Sequence, residues 1–147
     1  METNLQRLLY RYQFFFGKSP FKAEGWMVYS MPEGNVLSTH PDLSVTQVVA
    51  NGFQTTLLGF ILDPDRPEDD NVEILDRLCR SASSIEQWIQ VTEPLGGRWL
   101  IFLYYHDRAV VFNDPGGMRT VYFYQDGDGN TWLGTQPGLF QQQFGLT

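Results

Sequence analysis

The residues that could do chemistry in this 147-residue chain are few and widely spaced. The single cysteine, Cys79, follows Leu75 and Leu78 at helical spacing, so it falls on the apolar side of a predicted helix. A reactive thiol needs a nearby cation or a helix N-terminus to lower its pKa, and Arg77 and Arg80 lie on other faces of that helix. The pattern favours a buried structural cysteine over a nucleophile.

The histidines and one aspartate-rich segment are the candidate metal ligands. His40 and His106 are far apart, and each lies next to a turn, which predicts surface or turn histidines and no metal site. Residues 126–130, Asp-Gly-Asp-Gly-Asn, begin like a calcium-binding loop. However, Thr131 and Pro137 stand where that loop requires glycine and glutamate. We therefore predict a hairpin turn there, with neither metal nor cofactor.

Composition and charge limit the classes of protein to which the chain can belong. The 10 basic and 17 acidic side chains give a net charge of −7, which disfavours nucleic acid and anionic membranes as partners. One cysteine excludes a disulfide framework, and no signal peptide pattern is present. The apolar runs are far shorter than the ~20 residues that cross a membrane. We expect one cytoplasmic domain over residues 1–147.

Hydrophobic periodicity and turn signals predict strands, then two central helices, then more strands, which is an α+β arrangement. Residues 2–16 fit both helical spacing and strand alternation, and we favour a short helix that becomes extended near Gln13. The helices begin after the acidic residues that end at Asp70, at Ser83 or Ser84, and at Pro137. The predicted strands are residues 26–30, 36–39, 45–50, 53–62, 98–106, 108–113, 119–124 and 131–134.

Several blocks of the sequence resemble the glutaminase domain of asparagine synthetases, which are class II glutamine amidotransferases. The four C-terminal blocks are Leu95–Tyr105, Arg108–Asp114, Gly117–Tyr124 and Trp132–Leu139. Two further blocks lie upstream. Leu57–Ile61 falls where the family has Val-Asn-Gly-Glu-Ile, and Asp70–Leu75 falls where it has Ser-Asp-x-Glu-x-Leu. The resemblance implies an N-terminal-nucleophile (Ntn) hydrolase-like αββα fold, in which two antiparallel sheets stack between helices.

The residues that carry catalysis in that family are replaced here. The resemblance places the oxyanion-hole Asn-Gly pair at Leu58–Gly59, and losing one such donor lowers a rate by ~10²–10³-fold. Asp42 falls where the family binds the glutamine carboxylate with an arginine. Asp70 or Asn71 falls where an aspartate holds the substrate's amine. The N-terminal nucleophile is expected to be missing, because the chain begins Met1-Glu2-Thr3.

The resemblance therefore implies a glutaminase-like domain without catalytic residues. Its role would be that of a scaffold or docking partner for an ATP-dependent, amide-forming synthetase domain or protein. The positions of the vestigial pocket are Asp42, Leu58, Gly59, Asp70 and Asn71. Two alternatives stay open. The vestigial pocket could bind a small molecule or peptide. Internal cleavage could also expose a nucleophile, for which the candidate residues are Ser19, Ser30 and Thr39.

Overall fold

The computed structural model describes residues 10–21, 23–116 and 120–145. In chain order the elements are β1 (Phe14–Gly17), β2 (Met27–Ser30), a 3₁₀ turn (Pro32–Gly34), β3 (Val36–Thr39), β4 (Val45–Ala50), β5 (Phe53–Leu62), α1 (Asn71–Ser81), α2 (Ile85–Gln90), β6 (Gly96–Tyr105), β7 (Arg108–Asn113), β8 (Tyr122–Gln125), β9 (Thr131–Gly134) and α3 (Pro137–Phe144). All strand pairs are antiparallel. The predicted α+β class with antiparallel sheets is confirmed.

The chain divides into two compact units. The terminal unit combines residues 1–43 with 120–147, and the central unit is residues 44–119. The terminal unit holds a five-stranded sheet in the order β2-β3-β1-β9-β8. Because β1 pairs with both β3 and β9, strands from early and late in the chain share this sheet. Its core is aromatic except for Leu139, and its buried residues are Phe15, Phe21, Trp132, Leu139 and Phe140.

The central unit holds a four-stranded sheet in the order β4-β5-β6-β7. Strands β4 and β5 form a hairpin with the bounds that the sequence predicts. Asn51 and Gly52 form its turn with φ angles of 53° and 80°, as a two-residue hairpin turn requires. Both central helices pack their apolar residues into the same core as this sheet.

The remaining boundaries differ from the predicted ones by a few residues. Strand β6 begins at Gly96 instead of Arg98, because the glycines before Arg98 extend the pairing with β5. Strand β8 covers Tyr122–Gln125 where residues 119–124 were predicted, and residue 119 lies outside the described residues. The helical part of the prediction for residues 2–16 falls mostly on residues 1–9, also outside them, and its extended part is confirmed as β1. Among the described residues, no helix is long and apolar enough to cross a membrane.

Two glycines on neighbouring strands interrupt the regular backbone of β5 and β6. Gly59 has φ of +98° and Gly97 has φ of +109°, a region that side-chain-bearing residues rarely adopt. A Cβ atom at Gly59 would collide with the carbonyl oxygen of Arg98, and one at Gly97 would collide with that of Phe60. The two strands therefore approach each other closely only because both positions lack a side chain.

We expect Gly59→Ala to lower the free energy of unfolding by about 2 kcal/mol or more, because it combines backbone strain with a steric collision. Gly96→Ala is the matched control, since Gly96 lies on β6 and a Cβ atom there meets nothing within 4 Å. Urea titration followed by tryptophan fluorescence measures both variants. Equal stability of the two variants would show that the backbone at Gly59 is not constrained.

Candidate functional site

At the position that the resemblance assigns to an oxyanion hole, Leu58 and Gly59 make contacts that hold the fold together. The Leu58 side chain is fully buried and carries no hydrogen-bond donor. The backbone N–H of Gly59 donates to the carbonyl oxygen of Ser44 at 2.9 Å, at the start of β4. An oxyanion hole needs donors that are directed at the reacting atom, so neither residue supplies one in this arrangement.

Asn71 takes the place of a strand residue beside β5. Its Oδ1 accepts a hydrogen bond from the backbone N–H of Ile61 at 3.1 Å. Its Nδ2 donates to the carbonyl oxygen of Gly59 at 3.3 Å and to Oγ1 of Thr46 at 3.4 Å. A backbone peptide group offers the same donor and acceptor, so this amide continues the hydrogen-bonding ladder beyond the start of β4.

Asp70 caps the helix that begins with Asn71. Its carboxylate accepts from the backbone N–H of Glu73 at 2.8 Å, and the Glu73 carboxylate accepts from the backbone N–H of Asp70 at 3.3 Å. This reciprocal pair is a capping box, which satisfies donors that the helix itself leaves unpaired. The carboxylate that could hold a substrate's amine is therefore committed to the helix terminus.

Asp42 lies in the terminal unit, whereas the other four pocket positions lie in the central unit. Its carboxylate pairs with Nε of Arg11 at 2.9 Å, on the surface. Its backbone N–H donates to Nδ1 of His40 at 3.0 Å. The structure brings Leu58, Gly59, Asp70 and Asn71 together around one bend of β5.

The prediction of a surface or turn position is confirmed for His106, whereas His40 lies at a turn, as predicted, but is not at the surface. His40 is only 1% exposed and packs edge-on against Trp26, with ring centroids 6.1 Å apart. Burial is tolerated because the imidazole ring accepts a backbone hydrogen bond within the tight turn that follows it. His106 is exposed in the turn between β6 and β7.

Cys79 is fully buried in the core of the central unit, which confirms the structural interpretation. Burial raises the pKa of its thiol, because a thiolate would lose its solvation. Trp88 and Thr55 act on the pKa in the opposite direction. Neither makes a well-formed hydrogen bond to the sulfur, since Trp88 Nε1 has no partner among the described residues and Thr55 donates to Val48. The pKa and the burial both disfavour a nucleophile here.

The aspartate-rich segment is the β8–β9 hairpin loop. One oxygen of the Asp126 carboxylate accepts from the backbone N–H groups of Asp128 and Asn130 at 2.9 and 3.0 Å. The other accepts from Nε1 of Trp132 at 3.0 Å and Nδ2 of Asn130 at 3.3 Å. The predicted hairpin is confirmed, and these donors occupy the oxygens that a calcium ion would need. Within the described ranges, no group of three or more acidic, histidine or cysteine residues could hold a metal ion.

The three residues that internal cleavage would have to expose as nucleophiles lie in different settings. Thr39 is buried on β3, and its hydroxyl has no hydrogen-bond partner among the described residues. Ser30 is exposed at the end of β2. Ser19 is exposed after β1, where its hydroxyl accepts from Nε2 of Gln143 at 3.3 Å. Cleavage before Thr39 or Ser30 would cut a strand of the five-stranded sheet.

Comparison with protein-family models, curated proteins and solved structures found no match to this chain. What the site does chemically must therefore be inferred from its own geometry. The sequence analysis selected the pocket positions, but it missed Ser44, Thr46 and Ile61, which hold those positions in place. Their role depends on bonds between strands and helix, which leave no local pattern in the sequence.

Asn71→Asp should lower the free energy of unfolding by about 2 kcal/mol, because a carboxylate cannot donate to the carbonyl of Gly59 and repels it. Asp70→Asn is the matched control on the preceding residue, and it should change stability by less than ~0.5 kcal/mol because asparagine caps helices as well as aspartate. Chemical denaturation measures both. A stable Asn71→Asp variant would contradict the strand-like role of this side chain.

Acid should weaken the terminal unit partly through Asp126. Hydrogen bonds to the carboxylate, that of Trp132 first, lower its pKa below the ordinary value. A lowered pKa in the folded state stabilises the protein fully above about pH 4, and this contribution is lost as the pH falls through the folded pKa.

The measurement is the melting temperature between about pH 2 and 7 for the wild type, Asp126→Asn and Asp128→Asn. Asp126→Asn should flatten the acidic part of the curve. Asp128→Asn should keep it, because no described residue donates a hydrogen bond to the Asp128 side chain. Parallel curves for wild type and Asp126→Asn would contradict the assignment.

Proposed function

We propose that this chain is a non-catalytic glutaminase-like domain, related to that of asparagine synthetases, which docks onto an ATP-dependent, amide-forming synthetase. The proposal includes an Ntn hydrolase-like arrangement of stacked antiparallel sheets with flanking helices. The two antiparallel sheets of the described chain supply the strands that such an arrangement needs. The resemblance in sequence supplies the link to amide-forming enzymes.

The hydrogen bonding around Gly59 is the observation that supports the proposed absence of catalysis. The N–H of Gly59 donates to Ser44, and its carbonyl oxygen accepts from Asn71. Leu58, beside it, replaces an amide donor with a buried aliphatic group. Glutamine hydrolysis needs donors that stabilise the developing oxyanion, and here the corresponding groups hold strands and helix together.

A docking role is supported by the apolar surface next to that position. Phe60 and Leu62 are each 50% exposed, and they alternate along β5, so both lie on the same face of the strand. Exposed apolar patches on a folded protein mark interaction sites. The surface formed by Phe60 and Leu62 therefore adjoins the vestigial pocket at Gly59 and is available to a partner.

The test is an affinity capture, in which the tagged chain is used to isolate a synthetase from the cells that naturally express the chain. The captured protein should catalyse ATP–pyrophosphate exchange, and the chain should increase its rate of amide formation. The double variant Phe60→Ser/Leu62→Ser should weaken the complex by about tenfold or more, because apolar anchors dominate interface energies. The purified chain should release no ammonia from glutamine above background.

The matched control is Phe123→Ser, which removes an aromatic side chain that is 75% exposed on the terminal unit and should leave binding unchanged. Far-UV circular dichroism checks that both variants fold. Glutamine hydrolysis by the purified chain would overturn the non-catalytic part of the proposal. A captured synthetase whose activity is the same with and without the chain would overturn the docking part.

A further inference from the structure

Strand β4 forms one edge of the sheet in the central unit, and no strand that the structure describes pairs with its outer side. The N–H of Gly59 donates to Ser44, and Val45 is opposite Leu58, so hydrogen-bonded and non-hydrogen-bonded pairs alternate from Ser44 onward. The backbone groups of Val45, Gln47 and Val49 therefore point away from β5. Among the described residues, these outward groups have no hydrogen-bond partner.

This edge lacks the features by which proteins prevent strands from pairing with other chains. Natural edge strands carry charges, prolines or bulges that block such pairing. No charged residue and no proline occurs between Asp42 and Asp63, in a chain whose net charge is −7. The pairing of β4 with β5 is continuous from Val45 to Ala50, without a bulge. The side chain of Val49 is 75% exposed.

The other edges of the two sheets are less suitable. Strands β2 and β8 have four residues each, so each directs only two residues outward. The opposite edge of the central sheet, β7, begins with the charged Arg108, and Asn113 at its far end already makes an interaction of its own. The β4 edge is therefore the longest uncharged, unpaired edge that the structure describes.

We propose that β4 is a self-association surface, on which a second copy of this chain pairs its own β4 antiparallel to the first. A twofold axis at Gln47 places Val45 opposite Val49 of the second copy, and Gln47 opposite its counterpart. All outward groups of these three residues then find partners, because residues that face outward on one strand meet residues that face outward on the other. The two four-stranded sheets become one continuous sheet.

The identity of the occupant follows from this symmetry and from the charge. A contact across a twofold axis requires a surface that is complementary to itself. In this register the apolar side chains of Val45 and Val49 lie opposite each other, and the amide side chain of Gln47 lies opposite its counterpart. Two copies with a charge of −7 repel each other in general. The repulsion is weakest where both surfaces lack charges, which is the case along the β4–β5 hairpin. This inference does not depend on the proposed function.

The first test is amide hydrogen exchange of the wild-type protein, followed by NMR, from about 10 µM to about 1 mM. The amides of Val45, Gln47 and Val49 should exchange rapidly at the lowest concentration and more slowly as the concentration increases. The amides of Thr46 and Val48 bond to β5 and should be protected throughout. Rapid exchange of the outward amides at every concentration would overturn the proposal, and so would protection that is independent of concentration.

The second test is analytical ultracentrifugation of Val49→Lys, Val49→Thr and Val111→Lys. The wild type should shift from the 16.9 kDa monomer to twice that mass as the concentration rises. Val49→Lys should weaken the dimer by about tenfold, because both symmetry-related pairs lose an apolar contact. Val49→Thr keeps an uncharged, β-branched side chain and should still form the dimer. Val111→Lys places the same charge on β7 and should leave dimerisation unchanged.

Two results would overturn the proposal by this route. One is a wild type that stays monomeric over the whole range. The other is a dimer that Val111→Lys weakens and Val49→Lys does not. Thermal unfolding of each variant separates loss of pairing from loss of folding, and the exchange measurement on the wild type decides the matter if a lysine variant does not fold.

Discussion

The backbone bend at Gly59 is the constraint on which the central unit depends. With φ of +98° this residue leaves the regular strand geometry, and its carbonyl oxygen meets the amide of Asn71 instead of a neighbouring strand. The same amide accepts the N–H of Ile61, so one side chain replaces the strand residue that β4 does not provide. Only a group with a donor and an acceptor fits both positions, which excludes a carboxylate.

The bend also fixes where helix α1 begins. Asn71 is the first residue of the helix and is bonded to β5, so the helix axis starts against the sheet. Asp70 then caps the helix, and Arg77 pairs with Asp63 at 2.9 Å, which holds the preceding loop against it. Hydrogen bonds position the helix, while burial of its apolar side, including Cys79, provides the larger stabilisation.

The sequence predicts those parts of the fold that are encoded locally. The β4–β5 hairpin follows from alternating residues around Asn51-Gly52, and the burial of Cys79 follows from helical spacing. The position of β1 between β3 and β9 could not be predicted, because it joins segments far apart in the chain. The burial of His40 was missed because turns usually lie at the surface. The role of Asn71 was missed because it depends on a bond to a distant strand.

The location of the blocks that carry the resemblance would explain how it persists where the chemistry is proposed to be lost. Within the described residues, the four C-terminal blocks overlap β6, β7, β8 and the segment from β9 into α3. Strands are constrained by pairing and core packing along their whole length, whereas a catalytic group is constrained only by its reaction. In the proposed non-catalytic domain, polar groups are free to stabilise the fold, and Asn71 and the Gly59 N–H are bonded in this way. Under that proposal, a resemblance confined to the framework reflects a shared architecture, while the hydrogen bonds of Asn71 and Gly59 decide what this region of the chain can do.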